Sequence, residues 1–235
     1  MQATVYLIPT VLSEGRTDSL PSYITDAIKA CSVFFVENER TARRFVKLLW
    51  KEIVIDNQEW YNMKEASEEL ATQFRAKVKE GKSIGIISEA GCPGIADPGQ
   101  FLAALAQEMN IRIHPLVGPS SIVLSLMASG MNGQQFRFLG YLPIDAAQRI
   151  QTIHSIESES RQKDCTQIFI ETPYRNNQLM ETLIKACHAQ TRICVAVDLT
   201  SDSEMIRTQK VQDWKKNLPD LHKRPAIFLL HARQG

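Results

Sequence analysis

No run of about 18 apolar residues occurs in the 235-residue sequence, so no membrane-spanning helix is expected. No signal peptide is expected either. Met1-Gln2-Ala3-Thr4-Val5-Tyr6-Leu7-Ile8-Pro9 has no basic n-region and reads directly as a strand. No C-x-x-C pair is present. The five cysteines, Cys31, Cys92, Cys165, Cys187 and Cys194, are odd in number and scattered, which argues for a reduced, cytoplasmic protein without a zinc site. Cys187 and His188 are adjacent, but adjacency is poor ligand geometry, and no metal is expected. An excess of one charge is also missing: 27 Lys and Arg stand against 26 Asp and Glu, a net charge of +1. That balance neither demands nor excludes nucleic acid, because a local basic patch is compatible with a neutral total. Only 7% of residues are aromatic, and no aromatic shelf for a flat macrocycle is evident. The dinucleotide fingerprint G-x-G-x-x-G and the phosphate-binding G-x-x-x-x-G-K-[ST] are both absent, which argues against a nucleotide-dependent oxidoreductase.

The 44% hydrophobic content is enough for a substantial core, in one large domain or two small ones. Strand and helix patterns alternate, which argues for an α/β fold. Strands are expected at Val5 to Ile8, Ser32 to Val36, Ser83 to Ile87 and Ile111 to Leu116, with helices at Leu20 to Ala30, Arg40 to Leu49, Lys64 to Glu80, Phe101 to Met109 and Ser120 to Ala128. In the Lys64 to Glu80 helix, Ala66, Leu70, Phe74 and Val78 recur every four residues, the pattern of one buried stripe. The second half reads as strands at Phe136 to Gly140, Thr166 to Glu171, Arg192 to Asp198 and Ala226 to His231. Helices there are expected at Ala146 to Ser160, Asn176 to His188 and near Asp213 to Asn217; Glu204 to Thr208 forms a further segment of the tail that is assigned to neither class. Closer strand spacing in this half suggests a mixed sheet. The expected architecture is two α/β domains, 1–116 and 117–235, with a cofactor cleft between them.

The densest signal is Ile84 to Gly99, which reads as a buried strand, a tight loop and a helix start. Gly91, Pro93, Gly94, Pro98 and Gly99 place five turn-forming residues in nine positions. Glycine permits positive φ and close backbone approach to a ligand, and proline stiffens the same loop. A rigid loop poor in side chains, at the carboxyl end of a parallel strand, is where open α/β sheets bind ligands. Taken alone, such a loop is usually only a turn.

Ser88 to Gly99, S-E-A-G-C-P-G-I-A-D-P-G, resembles the S-D-A-G-T-P-x-I-x-D-P-G segment of the tetrapyrrole methylase superfamily, with eight residues in register over twelve positions. Leu7-Ile8-Pro9-Thr10 resembles that family's opening V-P-T, and Pro115 to Ser121 its P-L-P-G-P-S/C-A turn. Phe138-Leu139-Gly140-Tyr141-Leu142-Pro143, followed by Arg149, resembles F-x-G-F-L-P with a later basic residue. Ile168 to Arg175 resembles I-F-Y-E-S-P-H-R. The last two belong more to the branch of bacterial 16S ribosomal RNA ribose 2′-O-methyltransferases than to the porphyrin enzymes. Val36 to Arg40 stands where relatives carry A-E-D-T-R; Glu37 and Arg40 match. The chain departs from the branch where Thr10 to Arg16 replaces P-T-P-I-G-N-L, a loop on the acceptor side in relatives. It departs again where Asp198 to Ser201 replaces R-E-L-T-K.

This resemblance implies an S-adenosyl-L-methionine-dependent methyltransferase, cytoplasmic and homodimeric. It implies cofactor contacts from Pro9, Ala90, Gly91, Cys92, Ile95, Ser120, Ser121, Glu171 and Thr172. The implied acceptor is the ribose 2′-hydroxyl of a cytidine in ribosomal RNA, free or in the small ribosomal subunit. A tetrapyrrole or other small molecule, or a non-catalytic S-adenosylmethionine-binding protein, remain the alternatives. A hydroxyl acceptor is helped by a base, and Glu37, Glu89 and Glu171 are candidates that the sequence does not rank. Cys92 falls at a Thr or Asp position of the family and is not expected to act as a nucleophile, because methyl transfer from a sulfonium needs no covalent enzyme intermediate. Arg175 is expected either to contact a phosphate or carboxylate or to form a surface ion pair.

Overall fold

The computed structural model describes residues 3–232. The chain divides into two compact units, with the division between Ser120 and Ser121. The first unit runs β1 (Thr4–Ile8), α1 (Ile24–Ala30), β2 (Val33–Val36), α2 (Glu39–Leu49), β3 (Glu59–Asn62), α3 (Glu68–Lys79), β4 (Ile84–Ile87), α4 (Gly99–Glu108) and β5 (Arg112–Pro115). Its sheet has the order β3-β2-β4-β1-β5, and every pairing in it is parallel.

Both faces of this sheet are covered, so its central strands are apolar throughout rather than alternating. Val33 and Phe35 of β2, with Ile84 and Ile86 of β4, pack under α3 and α4 through Phe74, Val78, Leu102 and Leu105. Phe34 and Val36, with Ile8 and Ile87, pack under α1 and α2 through Ile24, Ile28, Ala42 and Val46. Gly85 is required by this packing: a Cβ there would come within 2.8 Å of Ile8 Cδ1 and Phe34 Cδ1.

Two helix starts lie later than the sequence pattern suggests. The expected Lys64 helix begins at Glu68, because Ser67 adopts an extended conformation and its hydroxyl accepts from the Leu70 N–H at 3.2 Å. Ala66 is therefore exposed, and the buried stripe is Leu70, Ala71, Phe74 and Val78. The expected Leu20 helix begins at Ile24, after a tight turn in which the Ile24 N–H donates to the Pro21 carbonyl. Strand β3 was not anticipated. Its Trp60 and Tyr61 stack on Phe34 and Phe35 of β2, with ring centroids 4.7 and 4.9 Å apart, a cross-strand pairing that stabilises a short edge strand.

The second unit runs α5 (Ser121–Ser129), β6 (Phe136–Tyr141), α6 (Ala146–Lys163), β7 (Thr166–Ile170), α7 (Asn176–Ala186), β8 (Arg192–Val197), β9 (Met205–Lys210), α8 (Val211–Trp214) and β10 (Ala226–His231). Its sheet order is β6-β7-β10-β8-β9. β6 and β7 are parallel, and the other neighbours are antiparallel. Its core gathers Phe169 and Phe228 from the sheet with Ile153, Leu179, Leu183 and Trp214 from the helices. The Trp214 indole N–H donates to the Ile193 carbonyl at 3.0 Å, so this buried ring keeps a polar partner. Among the described residues no helix is long and apolar enough to cross a membrane.

Candidate functional site

Strands β4, β1 and β5 are neighbours and parallel, so the loops that follow them leave from the same edge side by side. The chain leaving β1 packs its next helix on one face of the sheet, and the chain leaving β4 packs its next helix on the other. The gap between β1 and β4 is thus the point at which the crossovers reverse, where open parallel sheets accommodate ligands.

The three loops are tied to one another. The Thr10 N–H donates to the Gly91 carbonyl at 2.9 Å, and the Thr10 hydroxyl donates to the Ser88 carbonyl at 3.3 Å. The Ser88 hydroxyl donates to the Gly91 carbonyl at 3.3 Å. The Cys92 thiol faces the Gly118 and Pro119 carbonyls at 3.6 and 3.5 Å. Gly118 lies against Pro9 so closely that an added Cβ would come within 2.2 Å of Pro9 Cβ. Gly91 has φ +75°, and a Cβ there would meet the Pro119 carbonyl at 3.2 Å and Leu12 Cδ2 at 3.3 Å. The expected cofactor residues Pro9, Gly91 and Cys92 thus meet the 115–120 turn. Ala90 and the apolar side chain of Ile95 are exposed on the same loop, and Ser120 is half-buried.

Asp97, which the motif contained without a role, holds the loop in shape. Its carboxylate accepts from the Gly94 N–H at 2.9 Å and the Gly99 N–H at 2.6 Å. Burial pushes the Asp97 carboxyl up, against the lowering effect of these backbone donors. An aspartate directly before Pro-Gly is the available sequence signal for such a staple. Burial and the charge of Asp97 also push the Cys92 thiol up, so it stays protonated at neutral pH and is a poor nucleophile.

Two of the three candidate bases come together in the same unit. Glu37, just after β2, accepts from the backbone N–H of Glu89 through Oε2 at 2.8 Å. Burial pushes the Glu37 carboxyl up and the charges of Asp97 and Glu89 add to this, while the Glu89 N–H opposes it. Glu89 is exposed, and its Oε1 accepts from the Thr41 hydroxyl on α2 at 3.3 Å. A cavity of about 410 Å³ opens here, within the range of about 300–1,000 Å³ usual for small-molecule clefts. Thr10, Ser88, Glu89 and Ala90 form its wall at the strand ends, and Thr41, Arg44 and Phe45 form its wall on α2. Sequence reading missed the α2 residues because the bond between Thr41 and Glu89 spans 48 positions.

The remaining expected site residues belong to the second unit. Ser121 is the first residue of α5. Glu171 and Thr172 follow β7, and Glu171 is buried. Glu171 Oε1 accepts from the Thr172 N–H at 2.7 Å and from Arg175 Nη2 at 2.7 Å and Nε at 3.1 Å. Arg175 therefore forms an ion pair within its own loop. Glu171 Oε2 is buried without a hydrogen-bond partner, which leaves one acceptor available to a ligand donor. Among the described residues no group of three His, Cys, Asp or Glu is placed to hold a metal ion.

Known proteins resemble the chain over almost its whole length. The profile of the tetrapyrrole (corrin/porphyrin) methylases matches residues 15–214. Ribosomal RNA small subunit methyltransferase I of Escherichia coli O157:H7 is 25% identical over 237 residues, covering 100% of this chain and 79% of that protein. The protein of the same name from Mesorhizobium japonicum is 26% identical over 208 residues, covering 88% of this chain and 67% of that one. Among solved structures, the methyltransferase CobJ has the same fold, with a TM-score of 0.63 at 17% identity, covering 98% of this chain and 93% of that one. The chain belongs to the tetrapyrrole (corrin/porphyrin) methylase family and is an S-adenosylmethionine-dependent methyltransferase.

Proposed function

We propose that the chain transfers the methyl group of S-adenosylmethionine to a ribose 2′-hydroxyl of ribosomal RNA, at a cytidine. The single observation that carries this reading is the Glu89 carboxylate in the cavity wall, whose backbone N–H is held by Glu37 at 2.8 Å and whose Oε1 lies 3.3 Å from the Thr41 hydroxyl. An RNA acceptor is favoured by the matched relatives, which are named as small subunit ribosomal RNA methyltransferases. We place the reaction in the cytoplasm. We also expect a homodimer, and the exposed Val123 and Met127 of α5 offer an apolar surface for it.

The residues present fit the cofactor. Glu171 Oε2 is a buried acceptor without a partner, suited to a ribose hydroxyl or an ammonium group of the ligand. Pro9, Ala90, Gly91, Cys92 and Ile95, with Ser120, Ser121 and Thr172, supply the remaining contacts in this reading. The small side chains at Ala90 and Gly91 leave their backbone open to close approach.

When bound, S-adenosylmethionine supplies a methyl group already activated on a positive sulfur. That methyl would pass to the acceptor oxygen, with the C–S electron pair staying on sulfur. Glu89 takes the hydroxyl proton and releases it to water, in the role of a general base. Glu37 fixes where Glu89 begins, and the Thr41 hydroxyl, which also lies 3.1 Å from the Asn38 carbonyl, offers its carboxylate a donor. Orientation of this kind supplies much of the acceleration open to such an enzyme.

Calorimetric titration with S-adenosylmethionine tests the cofactor part, with NAD as control. Saturable binding to the wild type and its loss in Gly91→Trp are expected. Folding of the variant is checked by circular dichroism. Absence of binding to the folded wild type would refute the cofactor assignment.

A further inference from the structure

Helix α2 carries a row of cations on its outer face. Its core side is set by Ala42 and Val46, which are buried. Arg40, Arg44 and Lys47 recur at intervals of four and three residues, and all three are exposed, so they share the face turned away from the core. Neither the Arg40 nor the Arg44 side chain makes a hydrogen bond or an ion pair among the described residues. By contrast, Arg43 pairs with Glu39 and lies over the Trp60 ring, and the Lys47 ammonium donates to the Ile53 carbonyl at 2.8 Å. Like charges one helical turn apart repel. An anion bound along this face would relieve that repulsion.

Arg44 is also part of the cavity wall, beside Phe45 and Leu48. The cavity lining therefore combines a cation at Arg44, an apolar and aromatic wall at Phe45 and Leu48, and carboxylates at Glu14 and Glu89, the latter beside the Thr41 hydroxyl. A nucleotide presents the matching three: phosphate, base and ribose hydroxyl. A neutral total charge hides this arrangement, since 27 cations and 26 anions cancel over the chain.

We propose that the outer face of α2 is the RNA-docking surface, with Arg40 and Arg44 holding successive phosphates so that one nucleotide enters the cavity and lies against Phe45. The proposal rests on the RNA reading above and adds the surface that delivers the acceptor. Thr41 acts in it as a positioning residue for Glu89.

The test compares wild type with the Arg40→Glu/Arg44→Glu double variant by fluorescence anisotropy on a labelled single-stranded RNA, from low to moderate salt. A second double variant, Lys79→Glu/Arg112→Glu, makes the same change in net charge. Lys79 lies on α3, which covers the opposite face of the sheet, and Arg112 lies on edge strand β5. The α2 variant is expected to bind RNA at least tenfold more weakly, with a shallower salt dependence because fewer counterions are released. It is expected to bind S-adenosylmethionine as the wild type does. The control variant is expected to lose less than threefold. Equal RNA affinity for wild type and the α2 variant, or equal losses in the two variants, would overturn the docking surface while leaving the RNA reading intact. Failure of folded, S-adenosylmethionine-binding wild type to bind RNA at all would overturn both. In turnover, Arg44→Glu should raise KM, whereas Thr41→Val should lower kcat with KM little changed. The reverse split would overturn the assigned roles.

Discussion

Glu37 and Glu89 leave the ends of two neighbouring strands, and the carboxylate of one accepts the backbone N–H of the other at 2.8 Å. A half-buried acid thereby fixes the starting point of an exposed one. The two carboxyls have separate tasks in this account, so changing each should give a different result.

Glu89→Gln should lower kcat by about 100- to 10,000-fold, the usual contribution of a general base, with S-adenosylmethionine affinity little changed. Single-turnover kinetics with RNA measure this. Unchanged turnover would remove Glu89 from the mechanism.

Glu37→Gln should behave otherwise. Burial first, and then the charges of Asp97 and Glu89, push the Glu37 carboxyl up. A carboxyl that is raised on folding contributes stability at low pH, and this is lost as pH rises through its folded value. At neutral pH the ionised form is the strained one, so Glu37→Gln should be at least as stable as wild type there. Its activity should still fall, because the Glu89 N–H loses an anionic acceptor. Denaturant melts at pH 7 and pH 4, set beside turnover, check both halves. A marked loss of stability at pH 7 would contradict the burial argument.

Gly85→Ala should destabilise the first unit by about 1–3 kcal/mol, the usual cost of overpacking, because the new methyl meets Ile8 and Phe34 at 2.8 Å. Adding Ile8→Val removes one of the clashing atoms and should recover part of the loss. A double-mutant cycle by urea denaturation measures the coupling. Strict additivity would show that the methyl is accommodated elsewhere.

Much of the fold was legible because its signals are local. The four buried residues of β4 and the glycines and prolines after it are consecutive, and they located both the central strand and the ligand-side loop. The bounds of α3 were misread because Ala66 continues the four-residue spacing, while the Ser67 cap that ends it acts through one backbone hydrogen bond. Strand β3 was illegible because Glu59-Trp60-Tyr61-Asn62 is short and polar at both ends. Its partners are Phe34 and Phe35, far back in the chain. The site divides in the same way. Pro9, Gly91 and Gly118 announce themselves as turn residues, whereas the Glu37–Glu89 and Thr41–Glu89 bonds join positions 52 and 48 apart and leave no local mark.

The acid limit of stability should come from the outer sheet rather than from the site. Lys77 and Lys82 beside Glu59 hold its carboxyl down to about 2. A carboxyl lowered on folding contributes stability above its ordinary value, and this is lost as pH falls through the folded one. Wild type should therefore lose stability steadily between about pH 4.5 and pH 2, and Glu59→Gln should show a flatter decline. Added salt should shrink the difference, because these side chains are partly exposed. Denaturant melts across that range measure it, and parallel pH curves for the two proteins would contradict the assignment.

Glu171→Gln should weaken S-adenosylmethionine binding by about tenfold, the equivalent of about 1.4 kcal/mol, because Glu171 Oε2 is the buried acceptor without a partner. Calorimetry reads it directly. Unchanged affinity would assign Glu171 to the Arg175 ion pair alone.

The most direct test of the whole account is to incubate the protein with small ribosomal subunits and S-adenosylmethionine labelled in its methyl group, digest the RNA to nucleosides, and identify the labelled species by mass spectrometry. The account predicts label in 2′-O-methylcytidine, present with wild type and lost with Glu89→Gln. Label on a base, or none in RNA from a protein that binds the cofactor, would contradict it.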